Sequence, residues 1–318
     1  MKILSPERPF FGNNVMLLNQ NENCIVYKMK NASGEGTMTV YPVFPGIDLI
    51  YNDFHMQNCF SEFQPKIEMI GIDHCYKGRI EWEFENDGSM YFQEGDLQIS
   101  AKDHHALGFG FPLNHYHGIT IAIYIEKAAK TLSSIFNIFP VDLRALRHKF
   151  CSYNKPFIMR TENSIQHIFS ELYTVPDMIR LNYYKIKVME LLLYLSTVNV
   201  PQQSNNRAYF PKNQVDTIKT MMKYMTEHID KHFTLEELSS RFRISQTAMK
   251  ICFKGIYGTS IYAYMRIYRM QAAALMLRQT NDSVTAIASK VGYDNSSKFA
   301  AAFKEVIDLP PLKYRKNS

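Results

Sequence analysis

The sequence is poor in cysteine, and the few cysteines it has are dispersed. Cys24, Cys59, Cys75, Cys151 and Cys252 form no close pair, and their number is odd. Disulfide frameworks and zinc knuckles use cysteines in even numbers and at short spacings. Neither is therefore expected in this chain.

Long apolar runs are also missing. No stretch approaches the ~20 apolar residues that a membrane helix needs. Residues 1–8 lack the apolar core of a signal peptide. These absences predict a cytoplasmic protein without a membrane partner.

Acidic residues are scarce toward the carboxyl end of the chain. The 318 residues carry a formal net charge of +6. Residues 214–318 hold 16 Lys and Arg against 9 Asp and Glu, whereas residues 1–213 hold 20 against 21. This split indicates two domains, of which the basic one has an anionic partner. Solubility alone would also explain the basic excess.

The last hundred residues contain one pattern twice. Three pairs of equivalent positions define the copies: Leu238 and Ile287, Ser245 and Asp294, and Phe253 and Phe303. The alignment needs a single inserted residue. Two copies of one structural unit are therefore predicted.

Each copy has the capping pattern of a helix-turn-helix. Thr234 and Ser283 are placed to cap a first short helix, and Ser245 and Asp294 to cap a second one after a tight turn. Polar residues at the start of each second helix then face outward, as in a recognition helix that reaches base edges in the major groove. The predicted base contacts are Gln246, Thr247 and Lys250 in the first copy and Asn295, Ser296 and Lys298 in the second.

A connecting helix is predicted from Ser260 to about Gln279. At ~1.5 Å per residue it spans roughly 28 Å, close to the ~34 Å between successive major-groove faces of a duplex. Cations on or near this helix are candidates for phosphate contacts, which position a protein without reading sequence. They are Lys254, Arg266, Arg269 and Lys304. A solvated surface charge, or for Arg269 an ion pair with an acid, is the alternative.

Residues 215–316 carry a family resemblance. Its spaced positions include Gly258-Thr259-Ser260, Ile287-Ala288, Val291-Gly292-Tyr293, Phe303-Lys304 and Pro311. The stretch resembles the double helix-turn-helix DNA-binding domain of the AraC/XylS family of bacterial transcription regulators. Residues 297–304 and 262–266 further resemble the branch that contains the pyochelin-responsive regulator. Ala301 stands where the family commonly has arginine, so the second copy is expected to rely more on methyl contact with thymine.

Alternating residues predict β-strands from about Ile67. Ile80, Trp82 and Phe84 alternate with charged residues, which gives one apolar face. Residues 86–89 are typical of a hairpin turn, because Asp-Gly supplies the positive φ angles that a tight connection needs. Several short antiparallel strands at this spacing predict a small barrel or sandwich.

This segment also resembles, more loosely, the cupin-like sensor domain of many members of the same family, with Glu68, Gly78 and residues 94–96 at comparable positions. The resemblance implies that a small molecule binds inside the barrel. The predicted pocket lining is Trp82, Phe84, Phe109, Phe111, His115, Tyr116 and His117. Aromatic residues on an apolar face are, however, more often ordinary core.

His115 and His117 lie two residues apart, so on a strand they share a face and would suit a ligand or a metal. A cupin metal centre also needs a glutamate a few residues on and a third histidine on a later strand. The sequence offers neither at the expected place. No metal is therefore predicted, and an ordinary partly exposed strand histidine is the alternative.

Helical periodicity follows Glu126. The strongest amphipathic stretch runs from about Asp177 to Thr197, with apolar residues on more than one side. Such helices either cover the barrel or, as the family resemblance implies, pack against a counterpart in a homodimer. Residues 199–212 are polar and are typical of a linker. The predicted domains are a sensor and dimerisation domain (1–198), this linker (199–212) and the DNA-binding domain (213–318).

The predicted fold is α+β, with a cupin-like β-barrel and flanking dimerisation helices followed by an all-α double helix-turn-helix domain. The family resemblance implies a regulator, an activator as in much of the family, that binds promoter DNA and responds to a small-molecule effector. RNA polymerase is a further expected partner, and no catalytic residue or cofactor is predicted. The branch resemblance suggests a siderophore-like effector.

Two alternative functions stay open. A cupin-type metal-binding or enzymatic module could be tethered to DNA by the C-terminal domain. The second alternative is an architectural DNA protein without a sensor. It fits poorly with the about 200 residues of β and helical pattern that precede the DNA-binding domain.

Overall fold

The computed structural model describes residues 15–59, 67–84, 88–101, 108–135, 140–152, 156–160, 163–200 and 210–317, with the backbone alone for residues 84, 88, 108, 160, 163 and 164. The chain divides into two compact units, Met1–Tyr209 and Phe210–Ser318. Each unit has buried apolar clusters of its own.

The N-terminal unit is built on antiparallel strands. They are β1 (Val15–Gln20), β2 (Ile25–Asn31), β3 (Gly34–Phe44), β4 (Ile47–His55), β5 (Asn58–Cys59), β6 (Met69–Phe84), β7 (Gly88–Gln93), β8 (Asp96–Ser100), β9 (Gly108–Gly110), β10 (Tyr116–Tyr124) and β11 (Phe157–Arg160). The main path of hydrogen-bonded neighbours is β1-β2-β3-β4-β10-β6-β8-β11, while β7 pairs with β6, and β9 pairs with both β5 and β6. This strand-rich unit is compatible with the predicted cupin-like barrel.

The long strand β6 joins the two parts of the sheet. Its residues Gly71–His74 pair with β8, and its residues Arg79–Phe84 pair with β7. The second pairing forms the predicted hairpin, in which Phe84 faces Gly88. The turn residues 85–87 lie outside the described part of the chain.

Alternation along the strands separates two cores. Ile119, Ile121 and Ile123 of β10 belong to a cluster that also contains helical residues. Ala122 and Tyr124 of the same strand belong to a second cluster, on the opposite face of the sheet. A period of two places neighbouring residues on opposite faces, so both faces of β10 are buried.

Helices cover the first of these faces. They are α1 (Ile125–Ile135), α2 (Leu143–Cys151), α3 (Asn163–Leu172) and α4 (Arg180–Thr197). Each contributes buried apolar residues to the cluster around Ile121. The helix predicted from about Asp177 thus begins at Arg180. Within the described residues, no helix is both long and apolar enough to cross a bilayer.

The C-terminal unit is helical. Its helices are α5 (Lys212–Glu227), α6 (Leu235–Phe242), α7 (Gln246–Tyr257), α8 (Ile261–Gln279), α9 (Val284–Lys290), α10 (Ser296–Ile307) and α11 (Pro311–Lys316). α5 packs against α6 and α7, whereas α8 packs against α9, α10 and α11. The predicted connecting helix is confirmed as α8, with Ser260 as its N-cap.

Candidate DNA-binding surface

The first helix of each helix-turn-helix begins at a side-chain cap. Thr234 Oγ1 accepts the backbone N–H of Glu237 (3.1 Å), and Glu237 Oε2 accepts the backbone N–H of Thr234 (2.7 Å). This reciprocal capping box lowers the pKa of Glu237 through the backbone hydrogen bond. Ser283 Oγ accepts the N–H of Ala286 (3.1 Å) and starts α9. Both predicted caps are confirmed.

The turns of the two copies share one backbone feature. Arg243, after α6, has φ of 50°, and Gly292, at the equivalent position after α9, has φ of 83°. An added Cβ at Gly292 would lie 2.7 Å from the carbonyl oxygen of Asp230. The second turn therefore needs glycine both for its left-handed backbone and for this close approach.

The single residue that the alignment of the two copies inserts lies in the turn of the second copy, between α9 and α10. Ser245 Oγ accepts the N–H of Ala248 (3.2 Å) and caps α7. In the second copy the cap is Asn295, whose Oδ1 accepts the N–H of Lys298 (2.9 Å). The prediction that Asp294 caps this helix is wrong. Asp294 is the additional residue, so α7 and α10 are both 12 residues long and align with a constant offset.

The outward face of α7 is a stripe at helical spacing. Thr247, Lys250, Ile251 and Lys254 are exposed, whereas Met249, Cys252 and Phe253 are buried. Gln246 is exposed at the first residue of the helix. Ile251 was not among the predicted contacts, although it is 56% exposed at the centre of the stripe. Its spacing of four from Thr247 was the signal available in the sequence.

The equivalent face of α10 carries shorter side chains. Ser297, Ala301 and Lys304 are exposed at positions that correspond to Thr247, Ile251 and Lys254. The predicted contacts Ser296 and Lys298 are exposed in the first turn. Asn295 is also exposed, but its side-chain oxygen is engaged as the cap.

The four predicted phosphate ligands have different surroundings. Lys254 and Lys304 are exposed at the last turns of α7 and α10. Arg266 forms an ion pair with Glu305 of α10. Arg269 is only 7% exposed. The structure therefore presents the two lysines at the surface, pairs the partly exposed Arg266 with an acid and buries Arg269.

Arg269 connects α8 with the loop that precedes α6. Its Nε and Nη2 donate to the carbonyl oxygens of Ile229 (2.9 Å) and Lys231 (2.6 Å), and its Nη1 lies 3.1 Å from His232 Nδ1. His232 Nε2 lies 2.6 Å from the carbonyl oxygen of Gly292. A carbonyl only accepts, so His232 donates from Nε2 and accepts at Nδ1. The partners of Arg269 are thus carbonyls and a histidine rather than an acid, and they hold the second turn.

The predicted effector-pocket residues of the N-terminal unit lie in a packed core. Trp82, Phe111 and Tyr116 are 6%, 3% and 3% exposed and share one cluster, with Phe109 packed against it. Phe54 stacks on Phe111 with ring centroids 5.4 Å apart and lies 6.4 Å from Tyr116. The side chain of Phe84 lies outside the described residues. The structure brings these rings together as core packing.

His115 and His117 have separate environments. His115 Nδ1 donates to the carbonyl oxygen of Leu113 (2.9 Å) before β10 begins. The His117 ring lies 5.4 Å from the Tyr76 ring and 5.5 Å from the Tyr173 ring. Burial lowers the pKa of His117. Among the described residues, no three His, Cys, Asp or Glu side chains are grouped in a way that could hold a metal ion.

Two short helix pairs, each with a capped and outward-facing second helix, define a double helix-turn-helix domain. Residues 238–317 match the family model for a helix-turn-helix domain. The HTH-type transcriptional activator RhaR of Mannheimia succiniciproducens is 26% identical over 114 residues, which are 36% of this chain and 40% of the relative. A putative AraC-like transcription regulator of Streptomyces lividans is 33% identical over 85 residues, 27% of this chain and 28% of the relative. The C-terminal unit therefore contains a helix-turn-helix domain, and the chain is similar to a regulator described as AraC-like.

Two further proteins are similar to about a third of the chain. The multiple antibiotic resistance protein MarA of Escherichia coli is 27% identical over 99 residues, 31% of this chain and 78% of the relative. The solved C-terminal domain of AraT, a response regulator from Geobacillus stearothermophilus, is 27% identical, with 32% of this chain and 85% of that chain covered and a TM-score of 0.31. The chain spans less than half the length of the RhaR and Streptomyces relatives.

Proposed function

We propose that the chain is a transcription regulator that binds promoter DNA by placing α7 and α10 in successive major grooves. The observation that carries the proposal is the equivalence of the two helices. Both are 12 residues long, both start at a side-chain cap, and both expose positions spaced by four and three residues. A helix that enters the groove near its N-terminus presents this stripe to the base edges.

The proposed roles follow from side-chain chemistry. Lys250 is suited to the acceptor atoms of guanine, and Gln246 to adenine. Thr247, Ser296, Lys298 and the NH2 group of Asn295 supply further hydrogen bonds. Ile251 and Ala301, at equivalent positions, are suited to the thymine methyl group. Both copies then read thymine at their centre.

Lys254 and Lys304 are the proposed phosphate contacts, because both are exposed next to a recognition helix. Arg266 would contact phosphate only after leaving Glu305. Arg269 is proposed as a positioning residue, since its three hydrogen bonds fix the loop that holds Gly292. Loss of Arg269 would disturb the second turn without removing a DNA contact.

The N-terminal unit is proposed to dimerise through α4. Ile179, Ile186 and Leu193 recur every seven residues and are 50%, 63% and 42% exposed. The exposed Asn182 and Ser196 follow Ile179 and Leu193 by three residues, whereas Met189, three residues after Ile186, packs partly against the core of the unit. The apolar residues spaced by seven therefore provide the first of the two positions that repeat along a coiled-coil seam. Exposed apolar residues in this arrangement favour a second copy of the same helix as the partner.

We also propose that the N-terminal unit senses a small molecule and that the regulator activates transcription together with RNA polymerase. RhaR, which is 26% identical over 114 residues, is named as an activator. The resemblance to the pyochelin-responsive branch rests on residues of α8 and α10. Those helices belong to the DNA-binding domain, so the resemblance supports no particular effector.

Lys250→Ala tests the proposed groove contact. The variant should weaken binding to a preferred site selected from genomic fragments by ~1–3 kcal/mol, with little change on random duplex, because a base contact contributes only where the base is correct. Gel-shift titrations of the full-length chain on both DNAs measure this. Lys223→Ala, which removes an exposed lysine of α5, is the matched control and should leave both affinities unchanged. Equal losses on both DNAs for Lys250→Ala would instead assign this lysine to phosphate.

A further inference from the structure

A pocket of about 260 Å³ opens in the N-terminal unit where the turn between β3 and β4 meets α1. Gly46 in this turn has φ of +90°, and an added Cβ there would lie 2.5 Å from the backbone nitrogen of Ala128. The N–H of Tyr124 donates to the carbonyl oxygen of Gly46 (2.9 Å). Close packing and a hydrogen bond therefore fix the turn, so the pocket is largely preformed.

The pocket combines apolar walls with charged groups. Val40 and Phe44 of β3 line it, and Leu181 of α4 contributes a further apolar surface. Glu22, Asp48 and Lys127 also line it. Two carboxylates against one ammonium make the local charge negative, which favours a cation.

We propose that this pocket, rather than the predicted set around Trp82, is the effector site, and that it takes a small apolar molecule carrying one amine. The inference rests on the proposed regulatory function. A volume of about 260 Å³ is just below the ~300–1,000 Å³ of sites for drug-sized ligands. The effector is therefore compact, and a ferric siderophore is too large for the site.

Leu181 connects the pocket with the proposed dimer interface. Leu181 lies in the first turn of α4, two residues after Ile179 of the exposed seam. A molecule held against Leu181 contacts the helix that carries the seam. Such a molecule binds the dimer and the monomer with different affinity whenever α4 differs between them, and it then shifts the balance between the two.

Three probes that differ only in one terminal group test the pocket. Phenethylamine, 2-phenylethanol and 3-phenylpropanoate share an aromatic ring and a two-carbon chain but end in an ammonium, a hydroxyl and a carboxylate. Isothermal titration of the full chain should show one-site saturable binding of the amine. A charge-assisted hydrogen bond to a carboxylate should make the amine bind about tenfold or more tightly than either other probe.

Substitutions locate the binding site. Leu181→Trp should abolish amine binding by filling the pocket, whereas Met178→Trp should bind like the wild type because Met178 is 98% exposed. Asp48→Asn should remove the preference for the amine over the alcohol while preserving the pocket. The thermal melting curve of Leu181→Trp shows whether that variant folds. If it does not, Asp48→Asn is the second variant that tests the site.

Three results would overturn the inference: no saturable binding of any probe, a preference for the carboxylate, or unchanged amine binding by folded Leu181→Trp. Gel shifts on the same protein preparation separate this inference from the proposed function. If the protein binds DNA but no probe, only the proposed effector site is contradicted. If it binds the amine but no DNA, only the proposed regulatory function is contradicted.

Discussion

The exposed isoleucine of α7 predicts a specific dependence on the thymine methyl group. Ile251→Ala should weaken binding to the selected site by about 1 kcal/mol, or roughly fivefold, since each buried methylene contributes ~0.8 kcal/mol and only part of the side chain reaches the base. Replacing the contacted thymine by deoxyuridine removes the methyl group and should cost the wild type a similar amount. Gel-shift titration of both proteins on both DNAs gives a double-mutant cycle.

The cycle separates a direct contact from a structural effect. If Ile251 touches the methyl group, the deoxyuridine substitution should cost the Ile251→Ala variant almost nothing. Lys254→Ala is the companion variant, because it removes a proposed phosphate contact on the same helix face and should keep the full deoxyuridine effect. If deoxyuridine at every thymine of the site leaves the wild-type affinity unchanged, Ile251 does not read thymine.

Single residues also show where sequence reasoning stops. Charge and helix position made Arg266 and Arg269 resemble phosphate ligands as much as Lys254 and Lys304. The partners of Arg269 lie 37 to 40 residues away in the chain, and Glu305 lies 39 residues from Arg266. Local pattern does not encode contacts at that separation. Only the packing of α8 against other elements shows that Arg269 is buried among backbone carbonyls and that Arg266 is paired with Glu305 at the surface.

At the scale of a helix, the corrected cap of α10 gives a prediction for two adjacent residues. Asn295→Ala should destabilise the first turn of α10 by ~1 kcal/mol, because it removes the acceptor for the Lys298 N–H. Asp294→Ala should change stability by less than ~0.5 kcal/mol, since Asp294 is an exposed residue before the cap. Hydrogen exchange measured on peptides that cover α10 distinguishes the two variants.

Faster exchange near Lys298 in Asn295→Ala, with wild-type exchange in Asp294→Ala, is the expected result. Asn295→Ser serves as the control, because serine is also a good cap and should restore slow exchange. If exchange is instead faster in Asp294→Ala than in Asn295→Ala, Asp294 is the cap and the inserted residue lies inside α10.

Elements differ in how far the sequence determines them. Thr234, Ser245 and Ser283 were all predicted as caps, because capping is local and each precedes an apolar helical pattern. Asp294 and Asn295 are both good caps, so periodicity alone did not decide between them. In the N-terminal unit, alternation showed that Trp82 shares a face with other apolar residues. It did not show that Phe54 of β4, which is far from Phe111 and Tyr116 in the sequence, packs beside them.

At the scale of the whole molecule, the seam on α4 predicts a homodimer. The double substitution Ile186→Glu with Leu193→Glu places carboxylates in the proposed interface, and burying unpaired charge is costly. The dissociation constant of the dimer should rise by about a hundredfold or more, which corresponds to ~3 kcal/mol. Sedimentation velocity across a range of protein concentrations measures this directly.

The same double variant separates assembly from DNA recognition. On DNA with one binding site its affinity should equal that of the wild type, because α7 and α10 are unchanged. On DNA with two sites it should lose the ~10²–10⁴ gain that linkage of two binding modules provides. Ala129→Glu, which adds a carboxylate at an exposed position of α1, should behave like the wild type in both assays. A wild-type chain that sediments as a monomer at every concentration would exclude the seam as a dimer interface, and α4 would then need another partner for its exposed apolar face.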